Sequence, residues 1–223
     1  MDVRLFFQVL TKFLTGLIIV CLLLFIPAGT LDYSNGWLFI ALLFIPMLIA
    51  GIIMFFKSPE LLKRRLNATE EESEQKIVIL ISAIIFILAF IIAGLNFRFG
   101  WFTLSQPVIS IAAIIFLASY IMYAEVLREN IYLSRTVEVS ENQKVIDSGL
   151  YGIVRHPMYT STIFLFLSMP LVLGSIFSFI IMLIYPIILI FRIGNKEKVL
   201  ERELEGYGEY KEKVKYRILQ FIW

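Results

Sequence analysis

One polar stretch just past the middle of the chain is the place where chemistry could be done. It reads Asp147-Ser148-Gly149-Leu150-Tyr151-Gly152-Ile153-Val154-Arg155-His156-Pro157-Met158-Tyr159, holds the only histidine, and lies between long apolar segments. Gly149 and Gly152 permit tight turns, and Pro157 suits the first turn of a helix. The apolar run from Thr160 onward carries that helix into lipid. Arg155, His156 and Tyr159 are therefore expected at a membrane–water boundary, open to a ligand from the aqueous side. Tyrosine rings there can face a cation, and a guanidinium can hold a carboxylate through two parallel hydrogen bonds. An interfacial anchor is the competing reading, because Arg and Tyr are common at the ends of membrane helices.

Three further polar features accompany it. Glu125-x-x-Arg128 ends an apolar segment, and Asn130 to Ile146 follows with Ser134-Arg135-Thr136-Val137-Glu138-Val139 inside it. The third is Arg192-Ile193-x-x-Lys196-Glu197-x-x-Leu200, where the last apolar segment ends. Arg192 and Lys196 are four apart and share a helix face; Arg192 and Glu197 are five apart, about 140° around. Helix-end snorkelling and ion pairing would also explain Glu125, Arg128 and Arg192.

The elements that must position these groups are apolar helices. A chain of 223 residues with 59% hydrophobic content and a mean hydropathy of +0.84 cannot hide such runs in a soluble globule. Phe13 to Pro27 is the first helix, read as retained although a basic start also suits a signal peptide. Asn35-Gly36 is a turn, and Trp37 to Phe56 the second helix, with a kink expected at Pro46. Ser58-Pro59-Glu60-Leu61-Leu62-Lys63-Arg64-Arg65-Leu66 suits a short helix on the membrane surface. Glu70, Glu71, Glu72 and Glu74 read as a solvated helix start. Ile77 to Phe97 and Pro107 to about Leu127 are the third and fourth helices. Thr136 to Val139 alternates like a short strand. Met158 to Phe191 is too long for one crossing, about 50 Å as a helix. Gly174-Ser175 at its centre predicts a helix–turn–helix pair, with Pro170 and Pro186 as kinks. In the charged tail, Leu200, Leu204, Tyr207, Tyr210 and Val214 are expected to pack inward.

The fold class is thus an all-α, polytopic transmembrane bundle of about six apolar helices, one membrane domain over 1–223. Residues 1–124 supply N-terminal helices and 125–223 the core that carries the site. With the N-terminus cytoplasmic, every Lys and Arg except Arg98 falls on the cytoplasmic side, as the positive-inside rule requires. Both termini and the site are then cytoplasmic. A net charge of +2 leaves no nucleic-acid footprint. A single cysteine, Cys21, excludes an internal disulfide framework, and a single histidine argues against a His-based metal site.

Gly149-x-Tyr151-x-x-Val154-Arg155-His156-Pro157-Met158-Tyr159 resembles the signature of the isoprenylcysteine carboxyl methyltransferase family, integral-membrane enzymes that use S-adenosylmethionine. The resemblance runs roughly from Glu125 to Trp223. It implies a cofactor pocket made of Gln143, Lys144, Val145 and Ile146, then Tyr151, His156, Pro157, Met158 and Tyr159. It implies that Arg192 contacts the acceptor, and Arg128 and Arg192 are the candidate catalytic cations. The family carries an acid four residues after that arginine; here the position is Lys196, and Glu197 beside it fits the second acid of the family's pair. Glu197 is therefore expected to take over the cofactor contact, unless cofactor binding is altered. The acceptor would be a lipid or prenylated molecule, by default the carboxylate of an isoprenylcysteine.

Methyl transfer from a sulfonium releases a neutral thioether and needs no general acid, so orientation and exclusion of water carry the catalysis. An amine acceptor, as in a phospholipid N-methyltransferase, would also need a base. An NADPH-dependent reductase of the sterol-reductase type has a related architecture, and a transporter or scaffold is the non-enzymatic alternative. No Asp/Glu-x-Gly-x-Gly element of a soluble Rossmann-type methyltransferase is present.

Overall fold

Long helices dominate because the apolar runs have no water to satisfy their backbone groups and must bond internally. The computed structural model describes residues 3–66, 73–133, 139 and 143–223, with the side chains of 73 and 74 left out. Nine α-helices are described: α1 Val3–Ala28, α2 Ser34–Lys57, α3 Pro59–Leu66, α4 Ser73–Phe99, α5 Gln106–Glu129, α6 Pro157–Val172, α7 Ile176–Met182, α8 Ile184–Glu203 and α9 Tyr207–Lys213. Four of the long helices, α1, α2, α4 and α5, are apolar enough to cross a membrane; α7 with α8 makes a fifth such span, Ile176–Glu203. The chain is an integral membrane protein. The expected sixth apolar helix is α6, with 16 residues. At 1.5 Å per residue it reaches about 24 Å, short of the roughly 30 Å hydrocarbon layer.

Several helices extend past the apolar runs that announce them. α1 begins at Val3 rather than Phe13 and α4 at Ser73 rather than Ile77, because a helix does not stop where lipid gives way to water. Hydropathy marks only the part in lipid. Asn35-Gly36, expected as a turn, lies in the first turn of α2 instead. The prolines differ in effect. Pro46 and Pro170 stand inside unbroken α2 and α6. Pro186 cannot donate to the Met182 carbonyl, and the helix breaks there, between α7 and α8.

α4 is the central helix, packed against α1, α6, α7 and α8, while α5 lies along α6. Small residues bring it close to its neighbours. Ala89 and Ala93 are fully buried, and a Cβ on Gly94 would stand 2.6 Å from the Leu24 carbonyl oxygen of α1. Ser178 Oγ of α7 donates to the Ala89 carbonyl at 2.8 Å. The expected helix–turn–helix pair is present. α6 ends at Leu173-Gly174, Ser175 Oγ accepts from Ser178 N, and α7–α8 runs back. Tyr33, buried in the α1–α2 link, donates its hydroxyl to the Leu173 carbonyl at 2.5 Å and ties that end of the bundle together.

α3 lies at the opposite end. Leu61 and Leu62 are buried, as a surface helix with one apolar face requires, and Lys12 Nζ donates to the Leu66 carbonyl at 2.5 Å. Arg98 stands at the far end, beside Gly29. The strand expected over Thr136 to Val139 and the cluster Glu70, Glu71, Glu72 and Glu74 fall outside the described residues and side chains, Val139 apart.

Candidate active site

The end of α5 begins the site. Asn130 caps α5 and donates from Nδ2 to Tyr151 Oη at 3.0 Å, while its Oδ1 accepts from Tyr132 N. Glu129 turns its carboxylate to the Leu150 amide, at 3.1 and 3.0 Å, and so holds the 3₁₀ turn Gly149–Gly152 against the helix end. Gly149 has φ +56, and a Cβ on it would lie 1.7 Å from Glu129 Oε1. A side chain there would strain the backbone and displace the Glu129 carboxylate from the Leu150 amide. Tyr151 is buried, its carbonyl accepting from Tyr210 Oη at 2.8 Å.

Beyond the turn Val154, Arg155 and His156 form an irregular link, and Pro157 opens α6. Here the tail returns. Arg155 N donates to Tyr216 O at 2.9 Å and His156 N to Arg217 O at 2.8 Å, so two irregular segments satisfy each other's backbone. Thr160 Oγ1 adds a bond to Ile218 O at 2.7 Å. Arg155 also donates from Nη1 to the carbonyls of Val214 and Lys215.

Glu197 of α8 joins these strands of chain. Its Oε1 accepts from Arg155 Nε at 2.8 Å and lies 3.1 Å from His156 Nε2; its Oε2 accepts from Arg217 Nε at 2.9 Å. Carboxylate, imidazole and the Arg155 guanidinium are all buried. Burial is the main force on His156 and pushes its pKa down to about 4, with Lys196 and Arg155 acting the same way against the opposing pull of Glu197. The ring is neutral near pH 7. Because a carboxylate oxygen only accepts, the proton sits on Nε2 and Nδ1 is the free acceptor.

Above this buried cluster lies an open cleft. Gln143, Lys144, Val145 and Ile146 form one edge; Tyr151, His156, Met158 and Tyr159 form the floor. Lys196, Leu200 and Leu204 enter from α8, and Tyr207 and Tyr210 from α9. Leu200, Leu204, Tyr207, Tyr210 and Val214 form one buried cluster, the inward face expected of the tail. Tyr132 also lines the cleft, beneath the Arg64 guanidinium of α3, 5.9 Å from its ring centroid.

Two observations bear on what the cleft could hold. Tyr207 Oη is buried yet has no hydrogen-bond partner among the described residues. Every charged side chain lining the cleft among the described residues is a cation: Lys144, Arg155 and Lys196. Aromatic and thioether faces with an unsatisfied phenol fit a nucleoside bearing a charged tail.

The residues singled out from sequence separate into two sets. Gln143, Lys144, Val145, Ile146, Tyr151, His156, Met158 and Tyr159 share the cleft. Pro157, Glu197, Arg192 and Arg128 do not line it. Glu197 lies behind the wall, with both oxygens taken by Arg155, His156 and Arg217. Arg192 touches the cleft through Tyr159, donating from Nε to its hydroxyl at 3.2 Å. Arg128 is exposed and paired with Glu125, one turn back on α5. Asn130, Tyr207 and Tyr210 also line the cleft, two of them from the inward face of the tail. The three-residue spacing of the two tyrosines, in step with Leu200 and Leu204, is the signal that marks their face.

Residues 108–202 match the model of the isoprenylcysteine carboxyl methyltransferase (ICMT) family. That segment is similar to the ICMT family. The match covers a little under half of the chain, from α5 through α8, and includes the 3₁₀ turn, the His-Pro pair, Arg192 and Glu197. Residues 214–218, which bond to Arg155, His156 and Thr160, lie beyond the ICMT match. No curated protein matches the chain. The ICMT family is one of membrane methyltransferases, in keeping with a bundle whose polar cleft opens at one end of the apolar helices.

Proposed function

We propose that this protein is a membrane methyltransferase that uses S-adenosylmethionine and methylates a lipid-borne carboxylate, by default that of an isoprenylcysteine. The observation that carries the reading is Tyr159. Its ring lines the cleft while its hydroxyl accepts from Arg192 on α8, so cofactor cleft and acceptor-binding cation meet at one side chain. The cytoplasmic face, where the cofactor is made, is the face given to this end by the basic residues.

S-adenosylmethionine, when bound, supplies a methyl group on a sulfonium. The chain's own residues have three tasks. Tyr151, Met158 and Tyr159 offer π and thioether faces to a cation, and the turn at Gly149–Gly152 fixes Tyr151. Arg192 aligns a carboxylate arriving along α8, which is already ionised and needs no base. Leu200, Leu204 and the α9 tyrosines keep water from one side of the cleft. His156 Nε2–H faces Glu197, so that nitrogen is not free to take a proton. Arg192 and Lys196 next to Tyr159 disfavour a protonated amine, against N-methylation of a phospholipid.

The all-cationic lining favours one second reading, an NADPH-dependent reductase, whose phosphates such a cleft would attract. Labelled S-adenosylmethionine incubated with membranes containing the protein, followed by base treatment, tests the first reading. Volatile label released by mild base marks a methyl ester. Base-stable label marks N-methylation, and no transfer, with tight NADPH binding by calorimetry, supports the reductase.

A further inference from the structure

Lys196 stands where the family resemblance calls for an acid, and its surroundings give the cation a use. Its ammonium lies 5.8 Å from the centroid of the Tyr159 ring and lines the cleft. Among the described residues it has no carboxylate partner. The nearest candidate in sequence, Glu197, already serves Arg155, His156 and Arg217. Tyr207 lines the same cleft and carries a buried hydroxyl that no group among the described residues satisfies, although Tyr210 on the same helix donates its own to Tyr151 O. A hydroxyl buried without a partner is costly, so a site that carries one is short of a ligand atom. Burial pushes the Tyr207 phenol up, which keeps it a donor. Lys196 offers donors only, and no carboxylate among the described residues lines the cleft to compete for them.

We propose that Lys196 and Tyr207 form a two-donor subsite for an anionic oxygen and that it takes the carboxylate of the cofactor's amino-acid end. This rests on the S-adenosylmethionine reading. The cofactor's amino-acid end is then gripped by its carboxylate, and the acid missing at position 196 is not replaced by Glu197. The subsite also explains how a cleft lined with cations accepts a cofactor carrying a sulfonium: its one negative group meets the cations, and the sulfonium is left to the aromatic and thioether faces.

The test uses the full-length protein in detergent or nanodiscs and calorimetric titration with three probes. They are S-adenosylhomocysteine, its decarboxylated analogue, and 5′-methylthioadenosine, which lacks the amino-acid end. The parent should bind S-adenosylhomocysteine about tenfold more tightly than the decarboxylated analogue, the usual scale of a charged hydrogen bond. Lys196→Gln and Tyr207→Phe should each remove much of that preference and leave 5′-methylthioadenosine affinity unchanged; Lys196→Arg should retain it. Equal parental affinity for the first two probes overturns the subsite. So does a loss in the variants that is the same for all three probes, which marks a packing role. A parent that binds none of the three removes the cofactor reading itself, and the subsite with it. A parent that binds S-adenosylhomocysteine with silent variants removes the subsite alone.

Discussion

Glu197 Oε1 lies 3.1 Å from His156 Nε2, and both groups are buried where α8 meets the start of α6. The contact fixes Nε2 as the donor nitrogen, while burial outweighs the pull of Glu197 and keeps the ring neutral, its pKa lowered from 6.5 to about 4. In the unfolded chain the ring titrates at its ordinary value, so the unfolded state takes up a proton first as pH falls. Stability should therefore be fully present above pH 6.5 and decline between 6.5 and 4, by roughly 3 kcal/mol in the linkage limit. Thermal unfolding in detergent across pH 7.5 to 4 would display the decline. His156→Gln should flatten it, and a parent whose stability is flat in that window would contradict the neutral buried ring.

Glu197→Gln should act on the wall rather than inside the cleft. Removing the charge leaves the buried Arg155 guanidinium without its anion, a change that costs about 3–5 kcal/mol in comparable pairs. The expected result is a lower melting temperature together with weaker binding of S-adenosylhomocysteine and 5′-methylthioadenosine alike. Selective loss of the first probe would instead put the carboxylate in contact with the ligand's amino-acid end.

The two glycines Gly149 and Gly208 should respond in opposite ways to alanine. Gly149 has a positive φ, and a Cβ on it would push aside the Glu129 carboxylate. Gly149→Ala should cost at least about 1–3 kcal/mol and release the turn that carries Tyr151, lowering ligand affinity. Gly208 lies in α9 with open space around it, so Gly208→Ala should be neutral or stabilising by about 0.4–1 kcal/mol. A differential thermal-shift measurement on the pair separates backbone strain from general sensitivity of the site.

Arg192→Lys should reduce turnover by roughly tenfold or more with little change in cofactor affinity, because an ammonium cannot reproduce two parallel hydrogen bonds to a carboxylate. Arg128 is the internal comparison. It is exposed and pairs with Glu125, so Arg128→Ala should leave turnover within about threefold of the parent. Steady-state kinetics with separate kcat and KM decide both; a large loss at Arg128 would require a role for the exposed pair.

Hydropathy and punctuation made the bundle legible, because lipid imposes a length and a polarity on each segment that any sequence must show. The pair α6 and α7–α8 follows from a run too long for one crossing with Gly174-Ser175 at its middle. The cleft floor was legible for a different reason: Tyr151, His156, Met158 and Tyr159 sit within one short stretch. What stayed hidden depends on contacts between distant segments. Glu197 reads as a ligand residue beside Lys196, and only the return of residues 214–218 shows its carboxylate committed to Arg155, His156 and Arg217. Tyr207 looks like tail packing until Tyr210 is seen to use its hydroxyl and Tyr207 is not. Arg128 has a helix-end position that suits both a site and a surface pair, and nothing local distinguishes them.

The backbone bonds from Arg155 and His156 to Tyr216 and Arg217 also set an order of events during synthesis. Residues 214–218 follow all the membrane helices in the chain, and ribosomes deliver them after those helices have been made. The bundle can insert while the His156 segment still has unsatisfied amides facing water. Arrival of the tail then closes the site from the aqueous side, in a step that crosses no lipid. A chain cut short before residue 214 should thus still insert its helices but leave the Arg155 and His156 amides without their partners, and its loss of ligand binding would be the sign.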